Sequence, residues 1–164
     1  MKRLFIVSFV LLSTFGHSQK SIKKLLKKFN TESVPYMSVE ELAMPKTDAI
    51  LLDSRELNEF NVSHLEDAIH VGYDHFNLAT VTEALPDTSQ TIIVYCSLGI
   101  RSEDIAEQLK KAGYTNVYNL FGGIFEWKNK DFPVFDSEEK ETDNVHAFSK
   151  DWSKWLLKGI KIYD

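Results

Sequence analysis

The 164-residue chain is 43% hydrophobic, 12% aromatic and 26% charged, a balance that fits a water-soluble globular protein and excludes a disordered or collagen-like one. Nineteen Lys and Arg stand against 24 Asp and Glu, for a formal net charge of −5, so there is no general nucleic-acid footprint and no nucleic-acid partner is expected. Cys96 is the one cysteine, which excludes an intramolecular disulfide and confines any cysteine chemistry to a single free thiol.

Residues 1–18, MKRLFIVSFVLLSTFGHS, have the build of an export signal: Lys2 and Arg3 lead, an apolar run follows from Leu4 to Leu12, and small and polar residues close it. At about 1.5 Å per residue that run falls well short of a hydrocarbon core about 30 Å thick, so no stable membrane anchor is expected. The predicted location is therefore outside the cytoplasm, periplasmic or secreted. Exported proteins usually use cysteines in pairs, so a lone thiol asks for a functional reason.

Residues 19–33 form the next segment. Ile22, Leu25, Leu26 and Phe29 recur at helical spacing while Lys20, Lys23, Lys24, Lys27 and Lys28 fill the other face, which predicts a short basic amphipathic helix. Its lysines are either a solvated face or a contact for a membrane surface or an acidic partner.

From residue 34 to 135 short apolar runs alternate with helical patterns, the signature of an α/β fold with a mainly parallel, five-stranded sheet flanked by helices. Strands are predicted at 34–36, 49–53, 68–71, 91–95 and 117–119, and helices at 38–44, 56–62, 102–112 and 123–129. The helix from Ser102 has the fullest signals: a hydroxyl at its start, Glu103 and Asp104 in its first turn, Lys110 and Lys111 in its last, and Gly113 beyond. Residues 136–164 form the last segment. Five acids and one lysine between Asp136 and Asn144 read as a solvated connector. Phe148, Trp152, Trp155 and Leu156 then share a helical stripe stopped by Gly159, a helix that docks on the domain or offers a surface to a protein partner.

The stretch TIIVYCSLGIRSEDIAEQLKKAG carries the chemistry. An apolar strand ends at Cys96, and in an open parallel sheet the crevice beyond the carboxyl ends of the strands is where ligands bind. Gly99 lets the following loop curl so that successive N–H groups point inward, and the helix start adds more unpaired N–H groups. That cup, with the permanent charge of Arg101, favours a thiolate at Cys96 and an anionic substrate beside it. His70, His75 and His146 show no metal-ligand spacing with one another or with Cys96, so no metal site is expected.

Cys96-Ser97-Leu98-Gly99-Ile100-Arg101-Ser102 resembles the Cys-x-x-Gly-x-Arg-Ser/Thr active loop of rhodanese-like sulfurtransferases. Leu51-Leu52-Asp53-Ser54-Arg55-Glu56 with Phe60 is similar to that family's early Asp-x-Arg-Glu strand end, and Gly122-Gly123 with Trp127 to its late Gly-Gly-x-x-x-Trp segment. One turn departs: Ser63-His64-Leu65-Glu66-Asp67-Ala68 stands where the family commonly reads Gly-His-Ile-Pro-Gly-Ala. The resemblance implies a rhodanese-like fold and a sulfurtransferase needing no metal or organic cofactor. Its catalytic residue would be Cys96. Ser97, Leu98, Gly99, Ile100, Arg101 and Ser102 would hold the substrate. Asp53 and Arg55, at the end of another central strand, read as a salt bridge or turn cap, with Arg55 as a secondary anion contact the alternative, and His64 reads as closing its turn rather than acting as a base. The implied partners are a small sulfur-donor anion and a thiol acceptor.

Two other functions fit the same residues. One is a protein-binding or redox-sensing module without turnover. The other is a phosphatase, disfavoured because only four residues separate Cys96 from Arg101, a small cup for a tetrahedral phosphate.

Overall fold

A computed structural model of the chain describes residues 22–45 and 47–164. The predicted export signal lies outside the described residues. Among those described, no helix is long and apolar enough to cross a membrane.

The centre is a sheet of five parallel strands: β1 (Tyr36–Met37), β2 (Ile50–Asp53), β3 (Ile69–His70), β4 (Thr91–Tyr95) and β5 (Asn116–Leu120), ordered β1-β5-β4-β2-β3. β4 pairs with β2 from Ile50↔Ile92 to Asp53↔Tyr95, and with β5 from Thr91↔Asn116 to Val94↔Asn119. Helices cover both faces, so β4 must be apolar on both sides. Ile93 and Tyr95 enter one core with Ile22, Leu26, Leu120 and Phe125, while Ile92 and Val94 enter the other with Ile105, Leu109 and Val117. Each such side chain removed from water contributes about 1.5–3 kcal/mol, which makes β4 the most firmly seated strand and a rigid base for the residue after it.

The helices are α1 (22–29), α2 (Val39–Leu42), α3 (Leu57–Val62), α4 (Leu78–Ala84), α5 (Arg101–Lys111) and α6 (Gly123–Asn129). α1 buries Ile22 and Leu26 and leaves Lys23, Lys24, Lys27 and Lys28 facing outward. Ser38 and Glu41 form a reciprocal cap on α2. α4 is not among the sequence expectations; Asn77 starts it, its Oδ1 accepting from the Ala79 and Thr80 N–H groups.

Residues beyond 133 differ from expectation. The acidic connector is a hairpin of β6 (Val134–Phe135) and β7 (Glu141–Thr142), its turn held by the Glu138 and Lys140 N–H groups donating to Asp136 Oδ1. The expected terminal helix is replaced by a parallel pair, β8 (Asn144–His146) and β9 (Ile160–Ile162), joined by a strap with one 3₁₀ turn at Ser153–Trp155. Pairing of both ends of the strap in register fixes its span, and Phe148 at φ +62° breaks the helical path. The apolar stripe is still used: Leu156 is fully buried and Trp152 and Trp155 pack against the core.

Candidate active site

β4 delivers Cys96 to the carboxyl edge of the sheet, and residues 96–100 loop into α5. The loop is held from three directions. From within, the Gly99 N–H donates to Cys96 Sγ at 3.1 Å. From α6, the Ile124 and Phe125 N–H groups donate to the carbonyls of Cys96 (3.0 Å) and Ser97 (3.2 Å). From β5 and the end of α1, the Nδ2 groups of Asn119 and Asn30 both donate to the Gly99 carbonyl, at 2.8 and 2.7 Å.

Two glycines make this geometry available. Gly99 sits at φ +103°, where a side chain is strained and its Cβ would come within 3.2 Å of the Leu120 carbonyl. Gly123, at φ +53°, lets the start of α6 approach so closely that a Cβ there would lie 2.2 Å from the Cys96 carbonyl oxygen.

Ser102 does not cap α5 as expected. The helix begins after Ile100 without a side-chain cap, and the buried Ser102 hydroxyl lies 2.7 Å from Asn119 Oδ1 and 3.5 Å from Cys96 Sγ. Its single proton therefore serves the amide when the sulfur is a thiol and is within reach of the sulfur when it ionises.

Cys96 is 2% exposed, and burial alone pushes its thiol up; the positive charge of Arg101, the Ser102 hydroxyl and the Gly99 N–H outweigh that and bring it below the ordinary thiol value. Arg101 itself is clamped. Its Nη1 and Nη2 donate to the two carboxylate oxygens of Glu59 at 2.7 and 2.8 Å, and Nη2 also reaches Ser97 Oγ at 3.1 Å. Glu59 accepts further from Ser97 Oγ at 3.1 Å and from the Glu56 N–H at 3.1 Å. Burial raises the Glu59 carboxyl, but its bonds to Arg101 and the nearby charges hold it below the usual value.

Above the loop opens a cavity of about 120 Å³ lined by Cys96, Ser97, Leu98, Ile100, Arg101, Phe148 and Trp152. The last two come from the strap. The Phe148 ring lies 4.9 Å from the Arg101 guanidinium, and its N–H donates to His146 Nδ1 at 3.3 Å. Trp152 meets Phe148 edge-on at 6.5 Å and Phe29 of α1 at 5.9 Å. Both additions to the central unit thus converge on the Cys96 loop.

The residues expected around the thiol divide into two groups. Ser97, Leu98, Gly99, Ile100, Arg101 and Ser102 gather at Cys96. Arg55 makes the expected salt bridge with Asp53 through its Nε and Nη2, its Nη2 also bonds the Ser63 carbonyl at 2.7 Å, and it is fully buried and does not line the cavity, so the alternative reading as an anion contact is not supported. Asp53 is the partner that holds it, its Oδ1 also accepting from the Arg55 N–H. His64 stacks on Phe60 with ring centroids 4.0 Å apart, its Nδ1 lies 3.1 Å from the Phe60 carbonyl, and its backbone bridges Phe135. Glu59, Asn119 and Asn30 hold the loop without having been expected there, and Phe148, expected on a terminal helical stripe, joins the candidate site from the strap. The signal for Glu59 was physical: the largely buried Arg101 cation at the start of α5 needs an anion, and Glu59 supplies one from α3.

The family model for the rhodanese-like domain matches residues 38–130. The chain belongs to the rhodanese-like domain family. Among curated relatives, the chain is 35% identical over 100 residues to the tRNA uridine(34) hydroxylase of Photorhabdus laumondii, covering 58% of this chain and 28% of that one. It is 36% identical over 94 residues to the Hamiltonella defensa enzyme of the same name, covering 53% and 26%. The chain spans under a third of the length of these relatives. Among solved structures, the thiosulfate sulfurtransferase of Pseudomonas aeruginosa superposes with a TM-score of 0.60 at 22% identity, over 85% of this chain and 26% of that one. A rhodanese-like domain from Anabaena gives 0.56 at 22%, over 62% and 79%. These structures share the rhodanese-like fold, and the Cys96 loop lies inside the matched segment.

Proposed function

We propose that this rhodanese-like domain is a sulfurtransferase that carries sulfur on Cys96. The observation that carries the reading is the thiol itself: it stands at the end of β4 with Arg101, the Ser102 hydroxyl and the Gly99 N–H all favouring the thiolate. The Cys96 thiolate attacks the outer sulfur of a sulfane-sulfur anion such as thiosulfate, or of a persulfide. A Cys96–sulfur bond forms, the donor's sulfur–sulfur bond breaks, and its electron pair leaves with the donor remnant, sulfite in the case of thiosulfate. The persulfide anion then occupies the cup of loop N–H groups. An acceptor thiolate, or cyanide in vitro, removes the outer sulfur and restores the thiolate. No proton need be supplied by another side chain.

The tRNA chemistry in the relatives' names is not carried over, because the chain spans under a third of their length and bears a net charge of −5. The leader-like build of residues 1–18 supports a reading in which the chain acts outside the cytoplasm; N-terminal sequencing of the secreted or periplasmic fraction, starting near residue 19, tests that. The activity is tested by thiocyanate formation from thiosulfate or a persulfide and cyanide, with Cys96→Ala beside the wild type. Turnover that requires Cys96 supports the reading. A reduced, folded chain that makes no thiocyanate from either donor leaves a binding or redox-sensing module in its place.

A further inference from the structure

The charges at the Cys96 mouth are nearly spent before a substrate arrives. Both terminal nitrogens of Arg101 are bound to Glu59, and one face of the guanidinium is covered by the Phe148 ring. Beyond Cys96, Arg101 and Ser97, whose hydroxyl is already donated to Glu59, the walls are apolar: Leu98, Ile100, Phe148 and Trp152. An inorganic dianion entering there meets a thiolate, a neutralised cation and hydrocarbon, and loses its water with little in return.

The apolar wall is also held in place at a cost. Phe148 sits at φ +62°, a conformation unfavourable for an aromatic residue and one that persists where surroundings over-determine it. Here the surroundings are the β8–β9 pairing on either side of the strap, the His146 bond to the Phe148 N–H, and the Trp152 and Phe29 rings behind it. A cavity of about 150 Å³ lined by Leu, Ile and Phe holds a benzene ring, so the opening of about 120 Å³ is of the size for one ring or a branched alkyl group.

Resting on sulfur transfer at Cys96, we propose that the strap makes this site selective for organic sulfane-sulfur anions bearing an aryl or bulky alkyl group, of the thiosulfonate class, over inorganic thiosulfate. The step balances: Cys96–S⁻ and R–SO₂–S⁻ give Cys96–S–S⁻ and R–SO₂⁻. The new bond joins Cys96 Sγ to the outer sulfur, the S–SO₂ bond breaks, and its electron pair leaves on the sulfinate. The group R lies in the cavity against Phe148 and Trp152 while the transferred sulfur faces the loop N–H groups. The donor carries one negative charge where thiosulfate carries two.

The test compares kcat/KM for benzenethiosulfonate and for thiosulfate, with cyanide as acceptor, in the full chain and in Phe148→Gly. Glycine suits the positive φ, so this variant deletes the ring and relieves the backbone; Trp152→Leu repeats the test from the other wall. The wild type is expected to favour benzenethiosulfonate by tenfold or more, and each variant to shrink that ratio by about tenfold, the scale on which apolar pockets discriminate. Equal use of both donors by the wild type, or a ratio unmoved in both variants, overturns the selectivity while leaving sulfur transfer intact. No sulfur gained by Cys96 from either donor or from a persulfide, read by intact mass, overturns sulfur transfer itself and the selectivity with it.

Discussion

The Arg101–Glu59 pair is the interaction on which the loop most depends, and a double-mutant cycle measures it. Two parallel N–H···O bonds of 2.7 and 2.8 Å join side chains that are 16% and 3% exposed. Charges about 4 Å apart interact by about 4 kcal/mol at an effective dielectric constant of about 20, and stranding one partner of a buried pair costs about 3–5 kcal/mol. The two single losses are unequal. Arg101→Met leaves the deeply buried Glu59 without its cation and is expected to cost about 3–4 kcal/mol. Glu59→Gln leaves Arg101 free to turn toward the mouth and water, and is expected to cost about 2 kcal/mol. The double variant removes both charges, so it should cost about 3 kcal/mol, some 2–3 kcal/mol less than the sum. Urea unfolding of the reduced chains at neutral pH reads all four corners of the cycle. The sign of the acid response follows from the same pair: the Glu59 carboxyl is held low when folded, so its contribution is present above the ordinary carboxyl range and lost as pH falls through the folded value. In Arg101→Met, burial pushes that carboxyl up and the loss begins at higher pH. Additivity of the two single costs within about 0.5 kcal/mol would refute the claim that these residues act as one buried pair.

Three further outcomes follow from the same geometry. Gly123→Ala forces a Cβ to within 2.2 Å of the Cys96 carbonyl and 2.8 Å of the Ser97 carbonyl, and is expected to cost about 2–4 kcal/mol in urea unfolding and to lower sulfur loading at Cys96. Ser102→Ala strands Asn119 Oδ1 and removes a donor from the sulfur; it should cost about 1–3 kcal/mol and move the pH midpoint of Cys96 alkylation upward. Because the folded Cys96 thiol ionises below its ordinary value of 9.0, thiolate stabilisation is present above the unfolded thiol's pKa and lost as pH falls through the folded one. The stability of the wild type relative to Cys96→Ala is therefore expected to rise across that window in paired urea titrations.

What the sequence made legible was set by how locally each element is determined. β4 is fixed by its own uninterrupted apolar run and α6 by its paired glycines, and both fall at the predicted residues, 91–95 and 123–129. α5 begins and ends one residue early, since the Ser102 hydroxyl serves Asn119 rather than the helix end. α4 escaped because Thr80, Val81 and Thr82 are poor helix formers, although Asn77 carried a cap signal. The terminal stripe had helical spacing and became a strap because β8 and β9 pair across 13 intervening chain positions only in the folded molecule. The same limit applied at the site. Cys96, Gly99 and Arg101 lie in one heptapeptide and were readable together, whereas Glu59, Asn30, Asn119 and Phe148 reach the loop from four other segments. Asp53 and Arg55 were readable as a salt bridge because they flank one strand end, whereas the burial that keeps Arg55 out of the cavity is set by the Ser63 turn and is seen only in the fold.

The central claim is that Cys96 carries the transferred sulfur. The measurement that tests it most directly is intact-mass analysis of the reduced chain after incubation with a sulfane-sulfur donor and removal of the excess, with Cys96→Ala treated alongside. One added sulfur atom on the wild type, absent from the variant and discharged by cyanide, is the predicted result. Sulfur retained equally by Cys96→Ala, or a folded wild type that gains none from any donor, would contradict it.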